Sequence, residues 1–410
     1  MYKLKKVFGV ISFETRYIKI IIVDASNNDL HCLYFKKVIY SGCDMNGKLN
    51  DILGTRRILI SELIKVDKFI GNKVKRYILN ISNLQISMTN QTIANQGFKS
   101  ESDIYKYIDE HPYYQGSKCI KHQIIGYVVN GELMNVFPTE SEFDIKCINC
   151  FIKKDIISEY ENLFDKLLIN KIDLYTNAFS FADAFSSNGN SLLMDIDDDH
   201  CNLVEYNANK EIVSIQNTNF GTNWLKCQLI HKLKFDDDSR IEFLVHNIKY
   251  LNNCSNNPIV ANYYQDKYLK VKQLCLEDFK KICLSVFKNQ INSFDSYLVD
   301  KQFDEIKINC SNGFNELYSL AIKLNYLEIK GKKVEMCNES ILGLEDEYVT
   351  HLFYVLKDIS RRYEKTEDIK LTSLDAFFSE EMGLNQFHKN IIIKFGIQST
   401  KIWSKLGDGD

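Results

Sequence analysis

The chain has 410 residues, of which 45% are hydrophobic and 26% are charged, and its formal net charge is −3. This composition is ordinary for a globular protein of about two or three domains, and it excludes a disordered, collagen-like or low-complexity chain. The near-neutral charge argues against a dedicated nucleic-acid binder. The sequence contains no signal-peptide pattern and no apolar run of about 18 residues, so we expect a cytoplasmic protein.

The first elements follow the order strand, strand, strand, helix, strand, and the same order begins again about 185 residues later. Alternating or continuous apolar residues predict the strands, and apolar residues at helical spacing predict the helices. The first copy comprises strands at 7–10, 17–23 and 30–40, a helix at 56–69 and a strand at 75–81; the second comprises strands at 192–196, 201–206 and 211–216 and a helix at 224–233. A duplicated β-β-β-α plan is therefore predicted.

The segment between the two copies predicts a separate α+β module. Its elements are a helix at 101–109, strands at 119–129, 135–137 and 143–151, and an amphipathic helix at 155–168. In the second half, the stretch 235–257 is polar and rich in Asn, and 276–299 carries apolar residues at the spacing of a long helix.

The most specific motif is the segment 40–51, which reads YSGCDMNGKLND. It resembles a segment of the bacterial cell-division protein FtsA family that reads S-R-G-(basic or acidic)-x-x-G-x-(I/V)-x-D and is followed by a helix. The order of elements is similar over residues 7–357. The resemblance implies an α/β, actin-like fold, with a ribonuclease H-like duplicated β-β-β-α core and an inserted 1C-type subdomain in the first half.

The resemblance also implies a division into subdomains. They are 1A at 1–89 and 172–190, the inserted 1C-type subdomain at 90–171, 2A at 191–233, 2B at 234–304, a return to 2A and 1A at 305–357, a linker at 358–388, and an amphipathic membrane-targeting tail at 389–410.

Actin-like proteins hold the phosphates of ATP between two glycine-rich loops, whose backbone N–H groups reach the phosphates. The family's first loop reads like D-I-G-T, and the matching residues 12–15 (SFET) retain only Thr15. The second loop reads like D-I-G-G-G-T, and here Asp195 is retained while three Asp residues at 197–199 replace the glycines. One carboxylate about 4 Å from a phosphate charge costs on the order of 4 kcal/mol at an effective dielectric near 20. We therefore expect ATP binding to be weak or lost unless cations, such as Mg²⁺, neutralise the loop.

Other nucleotide positions implied by the resemblance are partly retained. Gly221 matches a family glycine, while the acidic residue expected one turn later aligns near Cys227. Glu242 lies in a segment similar to A-E-x-I-K that has lost its lysine, and Gly313 stands in a C-S-N-G stretch where a T-G-G loop belongs. The degenerate nucleotide set is Thr15, Asp195, Gly221, Glu242 and Gly313.

No catalytic residue and no metal site is predicted. The aspartates at 195, 197 and 199 begin like a calcium loop, but the sixth and twelfth positions are His200 and Tyr206, which fail the pattern. The single C-x-x-C pair, Cys147 and Cys150, lacks the second pair that a structural zinc site needs. The enzymatic status is left open, and the loops favour a chain without ATPase activity.

The C-terminal residues resemble the amphipathic helix with which the family binds membranes. Trp at the lipid interface and Lys near anionic headgroups would favour peripheral binding. A packed or frayed terminus and a strand at 391–393 are the alternatives. The predicted membrane-targeting residues are Lys401, Ile402, Trp403, Lys405 and Leu406.

Partner binding is implied for the 2B subdomain, which in the family binds the C-terminal peptide of the tubulin-like protein FtsZ. Lys280 and Lys281 are the candidate contacts here, and a solvated helix face is the alternative. The resemblance also implies self-association into filaments.

The function implied is that of an FtsA-like cell-division adaptor. It would tether FtsZ polymers to the inner membrane surface at the septum, as a peripheral protein with a pseudo-ATPase site. Two alternatives stay open: a PilM-like assembly adaptor, and an active ATPase of the actin, sugar-kinase or chaperone superfamily. Intact glycine loops would favour the enzyme, and an amphipathic tail favours FtsA over PilM.

Overall fold

The computed structural model describes most of residues 7–374. The exceptions are 26–28, 41–42, 45–47, 82–85, 112, 115, 141, 166, 168, 170, 236–238, 254–255, 266–269, 295, 300, 311–313, 324–326, 338–348 and 365–369. Two compact units divide the chain: the first contains Met1–Ser180, Ile341–Leu344 and Leu352–Asp410, and the second contains Phe181–Ser340 and Glu345–His351.

The first unit opens with three antiparallel strands, a helix and a parallel strand. These are β1 (Val7–Phe13), β2 (Tyr17–Asp24), β3 (Asp29–Ile39), α1 (Ile52–Ile70) and β4 (Arg76–Ile81). Helix α1 begins after Asp51, whose carboxylate accepts a 2.8 Å hydrogen bond from the backbone N–H of Gly54. It ends at Gly71, which has the left-handed backbone conformation that glycine adopts without a steric penalty.

An inserted sheet follows within the first unit. Its elements are β5 (Ile86–Ala94), α2 (Glu101–Glu110), β6 (Tyr113–Tyr114), β7 (Ser117–Val129), β8 (Glu132–Met134), β9 (Asp144–Lys153) and α3 (Lys154–Phe164). The strand order is β5-β9-β7-β6, with β8 paired to β7. Helix α2 covers one face, where Ile104 and Ile108 form a buried cluster with Tyr127, Phe143 and Ile145. The chain then returns to the first sheet through β10 (Lys171–Thr176) and α4 (Asn177–Ser180).

The second unit repeats the plan, with its own additions. A 3₁₀ turn (Phe181–Ala184) leads into β11 (Ser191–Ile196), β12 (Cys201–Tyr206), β13 (Ile212–Thr218), α5 (Thr222–Leu233), α6 (Ser239–Asn252), β14 (Ile259–Gln265), β15 (Lys270–Cys275), α7 (Leu276–Ser293), β16 (Glu305–Cys310), α8 (Phe314–Lys323), β17 (Glu328–Ile329) and β18 (Lys332–Met336). Helices α5 to α8 bury an apolar cluster against one face of the sheet, as the 3.6-residue periodicity of α7 predicts.

Both units contain a sheet of the same topology. The order is β3-β2-β1-β4-β10 in the first unit and β13-β12-β11-β16-β18 in the second. In each sheet the three strands of the β-β-β unit pair antiparallel. The next strand in the sheet pairs parallel to the first strand of that unit, β4 with β1 and β16 with β11. The last elements are α9 (Thr350–Glu364) and β19 (Lys370–Leu374), and β19 pairs parallel to β3. The predicted duplicated β-β-β-α core with an insert in the first half is confirmed.

Two details of the sequence interpretation are wrong. The strand predicted at 135–137 lies at β8 instead, because Asn130 and Gly131 both have positive φ and form a two-residue turn that brings β8 directly back onto β7. The insert starts at β5, before the expected boundary at residue 90, because a largely polar edge strand lacks an apolar signal. The polar stretch 235–257, for which no element was predicted, contains helix α6, whose apolar residues Ile241, Leu244, Val245 and Ile248 are buried.

The expected linker at 358–388 also needs correction. Helix α9 extends to Glu364, and β19 adds a strand to the first sheet, so the end of α9 and all of β19 lie inside the range assigned to the linker. The charged residues of this range misled the interpretation, because a helix that packs along one face keeps charges on the other. The tail at 389–410 lies outside the described residues. Within the described part of the chain, no helix is both long and apolar enough to span a bilayer.

Candidate functional site

The two loops that the sequence singled out are equivalent β-hairpins, one in each unit. In the first unit, the backbone N–H of Glu14 donates to the carbonyl of Tyr17 at 2.9 Å. In the second, the N–H of Asp197 donates to the carbonyl of His200 at 2.8 Å. The strands pair Ser12 with Lys19 and, correspondingly, Asp195 with Asn202. The structure thus places Ser12 and Asp195 at equivalent positions, which is the register used in the sequence comparison.

The first loop is neutralised by its own residues. The ammonium group of Lys19, a side chain only 1% exposed, lies 2.8 Å from the carboxylate of Glu14. On the neighbouring strand, the Asn80 side chain donates to the Ser12 hydroxyl at 3.1 Å and to the Asn177 side-chain oxygen at 2.9 Å. The Lys19 ammonium therefore already has an anionic partner, supplied by the residue that stands at the expected glycine position.

The second loop is closed by hydrogen bonds to the start of helix α5. The N–H groups of Thr222 and Asn223 donate to the carbonyls of Asp197 and Asp198, at 2.9 and 2.7 Å. The Thr222 hydroxyl donates to the Asp198 carboxylate at 3.2 Å, and the Asn223 amide donates to the Asp199 carboxylate at 2.8 Å. The first N–H groups of a helix are the donors that an anion would use. Here two of them are bonded to the loop itself.

Gly221 lies where the loop and the helix are in closest contact. A Cβ atom at this position would lie 2.5 Å from backbone atoms of Asp198, Asp199 and His200. The absence of a side chain therefore lets the backbone of the acidic loop pack directly on the entry to α5. Of the family glycines discussed for this loop region, Gly221 is retained, and its local role is the packing of protein against protein.

A buried polar pair supports the second loop from the sheet. The Asn309 side chain donates to the Asp195 carboxylate at 2.6 Å, and both residues are buried. Asn309 occupies the position on β16 that Asn80 occupies on β4. Sequence reasoning missed both asparagines, as well as Lys19. The sequence did carry a signal for these three residues, because each is a polar residue within an otherwise apolar strand or next to its end.

Glu242 forms an ion pair that the sequence did not predict. Its carboxylate lies 2.7 Å from the ammonium group of Lys226, which is itself buried on α5. Glu242 thus pairs with a lysine on another helix rather than with one in its own segment. Cys227, the next residue on α5, is exposed.

The thiols near the second loop are unsuited to nucleophilic chemistry. Burial raises the pKa of Cys201 and of Cys310 far above the ordinary range, and the carboxylates of neighbouring aspartates add to this effect. Both thiols are therefore protonated at neutral pH, whereas the thiolate is the reactive form. Burial also lowers the pKa of His200, which favours its neutral form. Among the described residues, no group of three or more His, Cys, Asp or Glu side chains is arranged to hold a metal ion.

The remaining predicted site residues are placed as follows. Thr15 lies in the first hairpin and is partly exposed. On α7, Lys280 is 11% exposed and pairs with Glu277, whereas Lys281 is 74% exposed and lies 3.5 Å from Asp278. Lys281 is thus the better placed of the two for a partner, and its role stays a prediction. Gly313 and the tail residues Lys401, Ile402, Trp403, Lys405 and Leu406 lie outside the described residues.

The segment 40–51 leads from β3 into α1. The Tyr40 hydroxyl donates to the Asp51 carboxylate at 3.1 Å, next to the start of α1. One turn later, the Arg56 guanidinium donates to the carbonyl of Leu163, at the end of α3, at 3.1 Å. Burial, helped by the nearby Glu14 carboxylate, raises the pKa of Cys43 to about 12. Cys43 of the motif thus lies near Glu14 of the first hairpin, and Arg56, in the helix that follows the motif, contacts the inserted module.

Neither a protein-family profile nor a curated protein sequence matches the chain. Solved structures do. A structure described as the PilM-PilN type IV pilus biogenesis complex matches with a TM-score of 0.54 and 9% identity, over 86% of this chain and 97% of that one. The ethanolamine utilization protein EutJ from Carboxydothermus hydrogenoformans matches with a TM-score of 0.45 and 10% identity, over 85% and 88% of the two chains.

A third similar structure is a Bacteroides thetaiotaomicron protein described as having an actin-like ATPase fold and unknown function, with a TM-score of 0.37 and 10% identity, over 86% of this chain and 96% of that one. Together with the duplicated sheet topology, the PilM likeness settles the fold class. The chain has the actin-like fold. At 9% identity, the likeness to the PilM-PilN structure shows the fold and leaves the function to the chemistry of the site.

Proposed function

We propose that this chain is an adaptor of the actin-like fold that works without ATP hydrolysis and links FtsZ polymers to an anionic membrane surface. The proposal that the chain does not hydrolyse ATP rests on the second loop, whose residues are hydrogen-bonded to the start of α5. The backbone carbonyls of Asp197 and Asp198 accept from the first N–H groups of α5, which would otherwise face a phosphate, and the carboxylates of Asp198 and Asp199 accept from the Thr222 and Asn223 side chains. The FtsZ part is supported by the resemblance of the segment 40–51, and the membrane part by the similarity of the C-terminal tail to an amphipathic targeting helix.

The nucleotide prediction can be tested directly. Isothermal titration of the full chain with ATP and Mg²⁺ should give no binding at micromolar concentrations, because phosphates would meet carboxylates rather than N–H donors. The matched variant replaces 197–199 by three glycines, which removes the carboxylates. If the native chain bound ATP with micromolar affinity, the hypothesis of a degenerate nucleotide site would be wrong.

The adaptor prediction calls for a reconstitution. Fluorescent FtsZ filaments should be recruited to anionic vesicles only when the full chain is present, and recruitment should be lost with a chain truncated before Lys401. Omitting the C-terminal peptide of FtsZ should also abolish it, since that peptide is the expected contact. Unchanged vesicle binding of the truncated chain would reject the tail as anchor. If the full chain bound the vesicles but did not recruit FtsZ filaments, FtsZ would be rejected as the partner.

A PilM-like adaptor is the second candidate, because the PilM-PilN structure has the same fold over most of both chains. On that reading the chain belongs to a pilus-type assembly and binds a PilN-type partner. The two candidates share the absence of ATPase activity and differ in partner. Binding to a PilN-type peptide, with no binding to the FtsZ peptide in the same assay, would favour it over the cell-division reading.

A further inference from the structure

Strand β5 forms the outer edge of the inserted sheet. Its inner edge pairs with β9 without a register shift, from Ile86 opposite Ile152 to Ala94 opposite Asp144. In the described part of the chain, no strand pairs with its outer edge. With nine residues, β5 is longer than the mean strand of about five or six. Its outer edge thus offers a row of backbone N–H and C=O groups to an added strand.

Strand β5 also lacks the features with which proteins protect such edges. Its sequence, ISMTNQTIA, contains no charged residue and no proline. Charges, prolines, bulges and shortness are the usual means of preventing edge-to-edge pairing. The side chains of Ser87, Asn90, Thr92 and Ala94 are exposed, so the described elements do not cover the strand.

The other outer strands that the structure describes carry at least one protective feature. Strands β10, β15 and β19 contain lysines, β8 contains a glutamate, and β6 and β17 have two residues each. Strands β13 and β14 are uncharged, but each has a register shift in the ladder to its neighbour. Such irregularities twist an edge away from flat pairing. Strand β5 is the long, regular and uncharged edge of this set.

We propose that β5 is an interface at which two copies of this chain pair antiparallel about a two-fold axis at Asn90, which joins two inserted sheets into one. Full overlap of the nine residues places Asn90 opposite its own copy, Thr89 opposite Gln91, and Met88 opposite Thr92. In this register Asn90 lies directly opposite its own copy, and like charges directly opposite each other destabilise a ladder. An uncharged strand is what this arrangement requires.

A second copy fits this edge better than a charged peptide. A charged peptide would find no countercharge on β5, whereas Asn and Gln side chains of two copies can exchange hydrogen bonds across the axis. A two-fold contact uses the same surface on both copies and closes on itself. The proposal therefore predicts a dimer, and it is independent of the FtsZ and membrane assignments.

Sedimentation velocity of the full chain tests the proposal. The native chain should show a concentration-dependent monomer–dimer equilibrium. Asn90→Lys should raise the dimer dissociation constant about five- to tenfold, because two lysines would meet at the axis. Val213→Lys, on the exposed part of the uncharged β13 edge, is the matched control and should leave dimerisation unchanged.

Charge rescue separates the interface from a folding defect. An equimolar mixture of Asn90→Lys and Asn90→Glu should recover dimers, since opposite charges now meet at the axis, while each variant alone stays largely monomeric. Under mild oxidation, Asn90→Cys should form a covalent dimer in excess of the native chain, whereas Thr92→Cys, which would face Met88, should not. A native chain that stays monomeric at high concentration, or dimers insensitive to both Asn90 charges, would overturn the proposal.

Discussion

Gly221→Ala is expected to lower the free energy of unfolding of the second unit by about 3 kcal/mol, the upper end for overpacking. The added methyl group would lie 2.5 Å from three backbone atoms of the acidic loop. Backbone atoms cannot move aside as a flexible side chain can. The loop is also fixed to α5 by the hydrogen bonds from Thr222 and Asn223, so any displacement would break bonds as well as contacts.

Urea unfolding of the full chain, followed by the fluorescence of Trp224 on α5, measures this effect close to the change. Gly331→Ala, in the same unit, is the control: a Cβ at Gly331 meets no atom within 4 Å, but its φ of +72° makes alanine unfavourable by about 1 kcal/mol. The cost at Gly221 should exceed the cost at Gly331. Equal losses for the two variants would show that the contact with the loop backbone does not determine the need for glycine.

The general architecture could be predicted from sequence because burial on both faces leaves a strong signal. The run Ile18–Val23 and the segment Leu192–Ile196 are nearly continuous apolar strands, and apolar residues recur at helical spacing in α7. Strand β5 left no such signal, because it is an edge strand with largely polar side chains. The hairpin at Asn130 and Gly131 did have a local signal, an Asn-Gly pair, which the interpretation did not use.

The positions of the two loops in the fold could be predicted from the sequence, and their contacts only in part. The aspartates at 197–199 are visible in the sequence, and the structure places them in the second hairpin. Their hydrogen bonds to Thr222 and Asn223 depend on where α5 begins relative to the loop, which is set by tertiary packing. The pairing of Glu14 with Lys19 could have been inferred from the hairpin, because Lys19 lies opposite Ser12 and Glu14, two residues further on, is its diagonal neighbour.

The second large effect is expected at this pair. Glu14→Gln removes the carboxylate 2.8 Å from an ammonium group whose side chain is only 1% exposed. Loss of one partner of a buried ion pair typically costs about 3–5 kcal/mol, because the remaining charge stays desolvated. Lys19→Met should cost less, about 1–2 kcal/mol, because Glu14 is 20% exposed and its carboxylate can regain water.

The double variant Glu14→Gln/Lys19→Met makes the test specific. It removes both charges and replaces the lysine by an apolar side chain of similar length, and buried ion pairs replaced in this way often lose little stability. Its unfolding free energy should therefore lie well above that of Glu14→Gln alone, with a coupling energy of about 2 kcal/mol or more between the two sites. Additive losses would mean that the two charges act independently. The acidic residue at the first loop would then have to be explained by something other than the neutralisation of Lys19.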